Sequence, residues 1–261
     1  MSPTEVIAAE LAQCLIQDLE GDPSPSRILV GIAGIPASGK STIALRIAHH
    51  INQSRPPGDE IAIVVGLDGW HYTRAVLDTF DNVEEAHARR GAAFTFDASA
   101  YVDFVVSLRQ MGAESTEVLL SEVERPPDHE PRSVPLPIVR APSFSHTLKD
   151  PTPDAIHIRP AHRIVILEGL YTFLGIEPWR RASELLDERW FVEIEFDEAR
   201  SRLIKRHVAT GVARDEEEAC WRADHNDLPN GHFVVENMLP PTRRIQSVAD
   251  PAVALLFSGT E

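Results

Sequence analysis

Cysteine is scarce in this sequence. Its 261 residues include only two cysteines, Cys14 and Cys220, which lie far apart and form no C-x-x-C pair. This pattern excludes a disulfide framework and a cysteine-based zinc site, and it is typical of proteins from a reducing compartment.

Positive charge is also in short supply. The chain carries 25 Lys and Arg residues against 40 Asp and Glu residues, which gives a formal net charge of −15 at pH 7. Because an acidic surface of this kind repels a phosphate backbone, we expect no nucleic acid partner.

Long apolar runs are missing as well. No uninterrupted run approaches the roughly 18 residues that a membrane span needs, and residues 1–20 lack the basic stretch of a secretory signal. We therefore expect no membrane association and a cytoplasmic location. The sequence leaves the oligomeric state open, with a homodimer as one compatible assembly.

The chain does contain an alternation of apolar runs and helical patterns. The predicted strands are residues 28–33, 61–67, 163–169, 190–196 and 252–257, and the predicted helices are residues 1–22, 40–52 and 198–209. Such alternation predicts an α/β fold with a mostly parallel sheet flanked by helices, built as a single domain over residues 1–261. The proline-rich stretch from about residue 112 to 145 is predicted to be an irregular insertion.

A phosphate-binding motif follows the first predicted strand. Residues 34–41 match the pattern G-x-x-x-x-G-K-S/T at every fixed position. Its glycines allow successive backbone N–H groups to point at phosphate oxygens, and the helix that follows adds the positive end of its dipole. In this motif Lys40 reaches the β- and γ-phosphates and the Ser41 hydroxyl binds Mg²⁺, so we expect ATP and Mg²⁺ as cofactors. The residues predicted to contact the nucleotide here are Gly34, Ile35, Pro36, Ala37, Ser38, Gly39, Lys40, Ser41 and Thr42.

Two carboxylates stand at the ends of later strands. Asp68 comes directly after the second predicted strand, and Glu168 closes the third apolar run. In an open parallel sheet, ligands bind at the carboxyl ends of the strands, so both side chains are expected beside the phosphate site. Asp68 is a candidate base for an attacking hydroxyl, and Glu168 is a candidate ligand of Mg²⁺ or of a water bound to it.

Several short segments together resemble a known superfamily. They are residues 34–41, 68–71, 89–97, 142–151, 167–171 and 226–231. In this order they are similar to the superfamily of uridine kinase, phosphoribulokinase and bacterial-type pantothenate kinase, over roughly residues 27–239. The resemblance is nearest to the branch of fungal ATP-dependent, uridine kinase-like kinases with a D-G-x-H element after the second strand.

The resemblance implies a three-layer P-loop NTPase fold with a small acceptor-side insertion and a lid at about residues 200–216. The residues that it implies to be catalytic are Asp68, Lys40 and Arg206, with Asp68 as the base. It implies acceptor contacts from His71, Arg89, Phe144 and His146, and nucleotide contacts from Arg202 and Arg206. The implied metal ligands are Ser41 and Glu168.

The function predicted from these residues is that of an ATP-dependent small-molecule kinase. It would transfer the γ-phosphoryl group of Mg-ATP to a hydroxyl of a nucleoside, a sugar or a pantothenate-like alcohol. A GTPase is disfavoured because no guanine-reading N-K-x-D segment occurs. A P-loop ATPase, or a nucleotide-dependent binding module without a small-molecule acceptor, is the alternative.

Overall fold

A parallel sheet forms the centre of the structure. The computed structural model describes residues 2–21, 27–53, 55–123, 138–145 and 147–249, with the backbone alone for residues 112–123. The strands are β1 (Ile28–Gly34), β2 (Ala62–Gly66), β3 (Val139–Ser145), β4 (Asp150–Ile158), β5 (Ile164–Glu168), β6 (Glu188–Glu193) and β7 (Arg243–Gln246). Five of them pair in the order β2-β5-β1-β6-β7, with every pair parallel. The remaining two, β3 and β4, form an antiparallel hairpin.

Helices cover this sheet. They are α1 (Pro3–Gly21), α2 (Lys40–Asn52), α3 (Arg74–Leu77), α4 (Val83–Ala88), α5 (Ala98–Val123), α6 (Trp179–Ser183), α7 (Phe196–Ala209), α8 (Glu216–Arg222) and α9 (Leu228–Asn237). The predicted α/β fold with a mostly parallel, helix-flanked sheet is confirmed. Among the described residues, no helix combines the length and the apolar character needed to cross a bilayer.

The central strands are buried on both faces. Alternate residues of β1 enter two separate apolar clusters, with Leu29 in one and Val30 in the other. The first cluster includes α5, and the second includes α1 and α2. Burial on both faces explains why these strands read as nearly continuous apolar runs rather than as an alternation of apolar and polar residues.

The order of the strands determines which chain segments meet at one edge of the sheet. Strand β5 lies between β1 and β2, and Glu168 at its end is in register with both Ile32 and Gly66. The loop after β1, the turn after β2 and the last residue of β5 therefore lie together at the carboxyl edge.

The structure departs from the sequence-based boundaries in two places. Helix α5 continues to Val123, past the point near residue 112 where we expected an irregular segment. Residues 112–123 include three Glu and two Leu residues, which favour a helix, and the prolines begin only at residue 126, so no proline interrupts the helix before its end. Strand β6 ends at Glu193 and helix α7 begins at Phe196, which was predicted to lie in the strand; acidic residues in the first turn of α7 favour this start.

The last strand of the described sheet was not predicted. Strand β7 spans four residues, of which only Ile245 is buried, so its sequence carries almost no apolar pattern. Short and polar edge strands of this kind are common because they discourage pairing with other chains. The strand predicted at residues 252–257 lies outside the described residues.

Candidate active site

The loop between β1 and α2 is shaped to hold phosphate. Its backbone adopts left-handed conformations at Ala37 and at Gly39, where φ is 62° and 91°, and α2 starts at Lys40 directly after this turn. The Ser38 hydroxyl is buried and has no hydrogen-bond partner among the described residues. A buried hydroxyl without a partner, next to the N-terminus of a 13-residue helix, fits an anionic ligand that accepts its hydrogen bond.

A hydroxyl and a carboxylate meet beside this loop. Ser41 Oγ donates a hydrogen bond of 3.0 Å to Glu168 Oε2. Within the described part of the chain, no group of three or more His, Cys, Asp or Glu side chains is arranged to hold a metal ion by itself. A Mg²⁺ ion that arrives with nucleotide phosphates and waters needs only one or two protein oxygens, and this pair supplies them.

Asp68 lies in the 3₁₀ turn Leu67–Trp70 that follows β2. Its neighbours Gly69 and Trp70 are buried, whereas its own side chain is 54% exposed and faces solvent. His71 Nδ1 lies 2.8 Å from the Asp68 carbonyl oxygen, which fixes the turn. The carboxylate is thus held on a rigid turn and open to a ligand.

Lys40 is surrounded by charges from four different segments. Burial lowers the pKa of Lys40; the nearby Glu168 opposes this change and Arg206 adds to it. Asp68 and Asp227 also act on Lys40 and raise its pKa. These interactions indicate that the lysine of the phosphate loop, the candidate base Asp68 and the predicted lid residue Arg206 form one charged cluster.

The two predicted lid arginines have different surroundings. Arg206, near the end of α7, is partly buried, and burial lowers its pKa while Asp227 and Asp68 raise it. Arg202 is already occupied: it donates hydrogen bonds to Ser247 Oγ at 2.9 Å and to the Ala37 carbonyl at 3.4 Å, and it pairs with Glu198. Arg206 therefore belongs to the charged cluster, whereas Arg202 joins the phosphate loop to the residue that follows β7.

Aromatic side chains pack together next to Asp68. The His71 ring packs on Phe96 with a centroid distance of 3.9 Å and on Phe144 with 5.1 Å. The structure thus brings together two predicted acceptor contacts, His71 and Phe144. The third, Arg89, lies at the end of α4. The fourth, His146, lies outside the described residues.

Asp227 lies near the charged cluster; its segment, 226–231, is among those that carry the resemblance, but no role was predicted for it. It ends the π-helical turn Ala223–Asp227, and one of its carboxylate oxygens lies 2.9 Å from His207 Nε2. It acts on Lys40, Arg206 and the Tyr171 hydroxyl. An Asp before Leu-Pro is typical of a helix N-cap, but the Asp227 side chain makes no capping hydrogen bond. A π-helical turn is the kind of local irregularity that often accompanies a functional site.

Gly69→Ala is expected to disturb the site through the backbone. A Cβ atom on Gly69 would lie 2.4 Å from the Pro142 carbonyl oxygen, so the Asp68 turn and strand β3 would have to separate. We expect the free energy of unfolding to fall by about 1–3 kcal/mol, as measured by urea denaturation. Gly21→Ala is the matched control, because a Cβ atom there meets nothing within 4 Å. Equal stability of the two variants would contradict this packing.

Comparison with known proteins was made by sequence and by structure. No family model matches the sequence. A candidate uridine kinase of Schizosaccharomyces pombe is 37% identical over 222 residues, covering 85% of this chain and 84% of the relative. An ATP-dependent kinase-like protein of Aspergillus versicolor is 40% identical over 174 residues, covering 67% of this chain and 90% of the relative. The crystal structure of a candidate fructose transport system kinase from Silicibacter sp. TM1040 superposes with a TM-score of 0.69 at 26% identity, over 91% of this chain and 98% of that one.

Proposed function

Since the chain belongs to the family of uridine kinase-like, ATP-dependent P-loop kinases, we propose that it transfers the γ-phosphoryl group of Mg-ATP to a hydroxyl of a small-molecule acceptor. One observation supports this proposal above the others. Asp68, a half-exposed carboxylate on a rigid turn, belongs to the same charged cluster as Lys40 and Arg206. Phosphate-binding cations next to an accessible general base are what hydroxyl phosphorylation requires.

In the proposed reaction each residue has a separate role. The phosphate loop and Lys40 hold the β- and γ-phosphates. Asp68 accepts the proton of the acceptor hydroxyl while the hydroxyl oxygen bonds to the γ-phosphorus and the bond from this phosphorus to the ADP oxygen breaks. Arg206 stabilises the negative charge on the transferred group by donating hydrogen bonds to it. Ser41 and Glu168 would hold Mg²⁺, which neutralises charge on the phosphate oxygens.

The acceptor is proposed to be a nucleoside, a sugar or a pantothenate-like alcohol. Phe144 is partly exposed and packs against His71, so it offers an apolar surface on which a ring can pack. Uridine and fructose appear in the names of two relatives. These names do not assign either substrate to this chain. The cytoplasmic location and the expectation of no nucleic acid partner stay predictions from composition.

The test of this proposal is whether ADP release depends on an acceptor. Wild-type protein with Mg-ATP would be incubated alone and with uridine, fructose or pantothenate, one for each acceptor type. We expect ADP release to rise several-fold with at least one of them. If ADP forms at the same rate without any acceptor, the P-loop ATPase is favoured, and if no ADP forms at all, the nucleotide-dependent binding module is favoured.

Glu168→Gln is expected to weaken the use of Mg²⁺. The change keeps the shape of the side chain but removes the negative charge that is hydrogen-bonded to Ser41. We expect the Mg²⁺ concentration for half-maximal ADP release to rise by about 10- to 100-fold, the equivalent of one charge-assisted interaction. Glu184→Gln, at a surface ion pair with Arg180, is the control. An unchanged Mg²⁺ requirement in Glu168→Gln would exclude a role for this carboxylate.

A further inference from the structure

We propose that Arg89 binds an anionic group of the acceptor, so that the preferred substrates of this site are hydroxy compounds that carry a carboxylate or a phosphate. The inference rests on the proposed kinase function and deepens it.

Arg89 is a partly buried cation for which the described residues supply no counter-ion. Its Nε atom is buried and has no hydrogen-bond partner, and no carboxylate among the described residues pairs with its guanidinium. A buried donor of a charged group is costly to leave unsatisfied, so such groups usually have a partner, which can be a ligand.

The adjacent Arg90 shows the contrast. Its Nε atom is unpaired too, but its Nη2 atom donates hydrogen bonds to Asp150 Oδ1 at 2.7 Å and to the Tyr72 carbonyl at 2.9 Å. Arg90 thereby joins the β3–β4 hairpin to the turn after His71. Arg90 is therefore hydrogen-bonded within the fold, whereas Arg89 Nε has no partner among the described residues.

Arg89 is one of several charged residues near the Tyr171 hydroxyl. Burial raises the pKa of the Tyr171 hydroxyl; Arg89 lowers it, and Asp68 and Asp227 raise it. The same two carboxylates act on Lys40. The Tyr171 ring packs on Phe96, which in turn packs on the His71 ring beside Asp68. In the proposed arrangement, an acceptor with its hydroxyl at Asp68 extends past these rings toward Arg89.

The backbone that carries Arg89 is held firmly. The Arg89 amide donates a hydrogen bond of 2.8 Å to the Glu85 carbonyl, which closes α4. The Tyr171 hydroxyl donates one of 2.8 Å to the Gly91 carbonyl. Asn226, next to Asp227, donates one of 3.4 Å to the Arg90 carbonyl. A guanidinium on a fixed backbone is well suited to bind a planar carboxylate or a phosphate through two parallel hydrogen bonds.

Matched acceptor pairs test this assignment. Each pair differs by one anionic group: pantothenate and pantothenol, glycerate and glycerol, ribose 5-phosphate and ribose. We expect wild-type protein to prefer the anionic member of at least one pair by about 10- to 100-fold in kcat/KM, the range of one charge-assisted interaction. In Arg89→Gln the kcat/KM for the anionic member should fall by the same factor of about 10 to 100, so that the preference vanishes.

Two control variants separate Arg89 from other cations. Arg159→Gln removes an arginine that pairs with Glu60 at 3.3 Å and should keep the preference. Lys149→Gln removes an exposed cation of the β3–β4 turn and should also keep it. If Lys149→Gln abolishes the preference instead, or if Arg89→Gln lowers both members of each pair equally, the assignment is wrong while the kinase proposal stands.

A binding measurement makes the test independent of turnover. Pantothenate, glycerate and ribose 5-phosphate would each be titrated calorimetrically into protein that is saturated with Mg²⁺ and a non-hydrolysable ATP analogue. Binding to wild-type protein that is lost in Arg89→Gln supports the inference. If this result occurs without any acceptor-dependent ADP release, only the kinase proposal is contradicted. Equal heats for the two proteins, or no heat with any of the three anions, would overturn the inference.

Discussion

Asp68→Asn is expected to lower kcat for acceptor phosphorylation by about 10²- to 10⁴-fold, the contribution of a well-placed general base. Asparagine is nearly the same size, so the 3₁₀ turn should persist and the acceptor should still bind. What disappears is the oxygen that takes the hydroxyl proton when the bond to phosphorus forms. The measurement is a single-turnover reaction with the acceptor that wild-type protein uses, together with the ATP affinity of the variant.

The affinity for ATP separates a lost base from a damaged fold. We expect it to stay close to that of wild-type protein, because the phosphate loop and α2 contribute their own contacts. Asp78→Asn is the matched control, since this exposed carboxylate pairs with His87. If Asp68→Asn transfers phosphate at the wild-type rate, another group serves as base, and Asp227 is then the first to examine.

Lys40→Met is expected to remove most of the catalytic activity because it weakens the binding of the nucleotide phosphates. Methionine keeps much of the apolar stem but loses the charge that binds the β- and γ-phosphates, so we expect turnover to fall by about 100- to 1000-fold. Because burial already lowers the pKa of Lys40, the free protein gains little from this charge and should unfold at nearly the wild-type temperature. Thermal unfolding with and without Mg-ATP is the measurement.

Mg-ATP should raise the unfolding temperature of wild-type protein more than that of Lys40→Met. A ligand that binds only the folded state raises the unfolding temperature, and this rise should be small or absent in Lys40→Met. Lys205→Met, on the exposed side of α7, is the control and should respond to Mg-ATP as wild-type protein does. Full thermal stabilisation of Lys40→Met by Mg-ATP would show that Lys40 does not bind phosphate.

The elements that the sequence predicted well are those whose signal is local. Helix α2 begins at Lys40 and ends at Asn52, as predicted, because the glycine turn before it and its helical apolar pattern lie within the same short stretch. The buried strands were found because burial on both faces leaves an apolar run. The positions of Asp68 and Glu168 at one edge followed from parallel strand order, which the register confirms for Glu168.

The sequence did not predict features that depend on contacts between distant segments. Arg89 and Arg90 are adjacent and chemically identical, and their surroundings differ because Arg90 binds the hairpin carboxylate Asp150 and the Tyr72 carbonyl. The place of Asp227 in the site depends on a π-helical turn and on His207, which is 20 positions earlier in the chain. Neither partner leaves a periodic signal in the sequence, since each is brought in by the packing of distant segments.

The most direct test of the central claim is the product itself. Wild-type protein would be incubated with Mg-ATP and each candidate acceptor, and the mixture analysed by mass spectrometry for an acceptor that has gained one phosphoryl group. We expect one such product, formed in a one-to-one ratio with ADP and strongly reduced with Asp68→Asn. ADP formation without any phosphorylated acceptor, at a rate that Asp68→Asn leaves unchanged, would contradict the account.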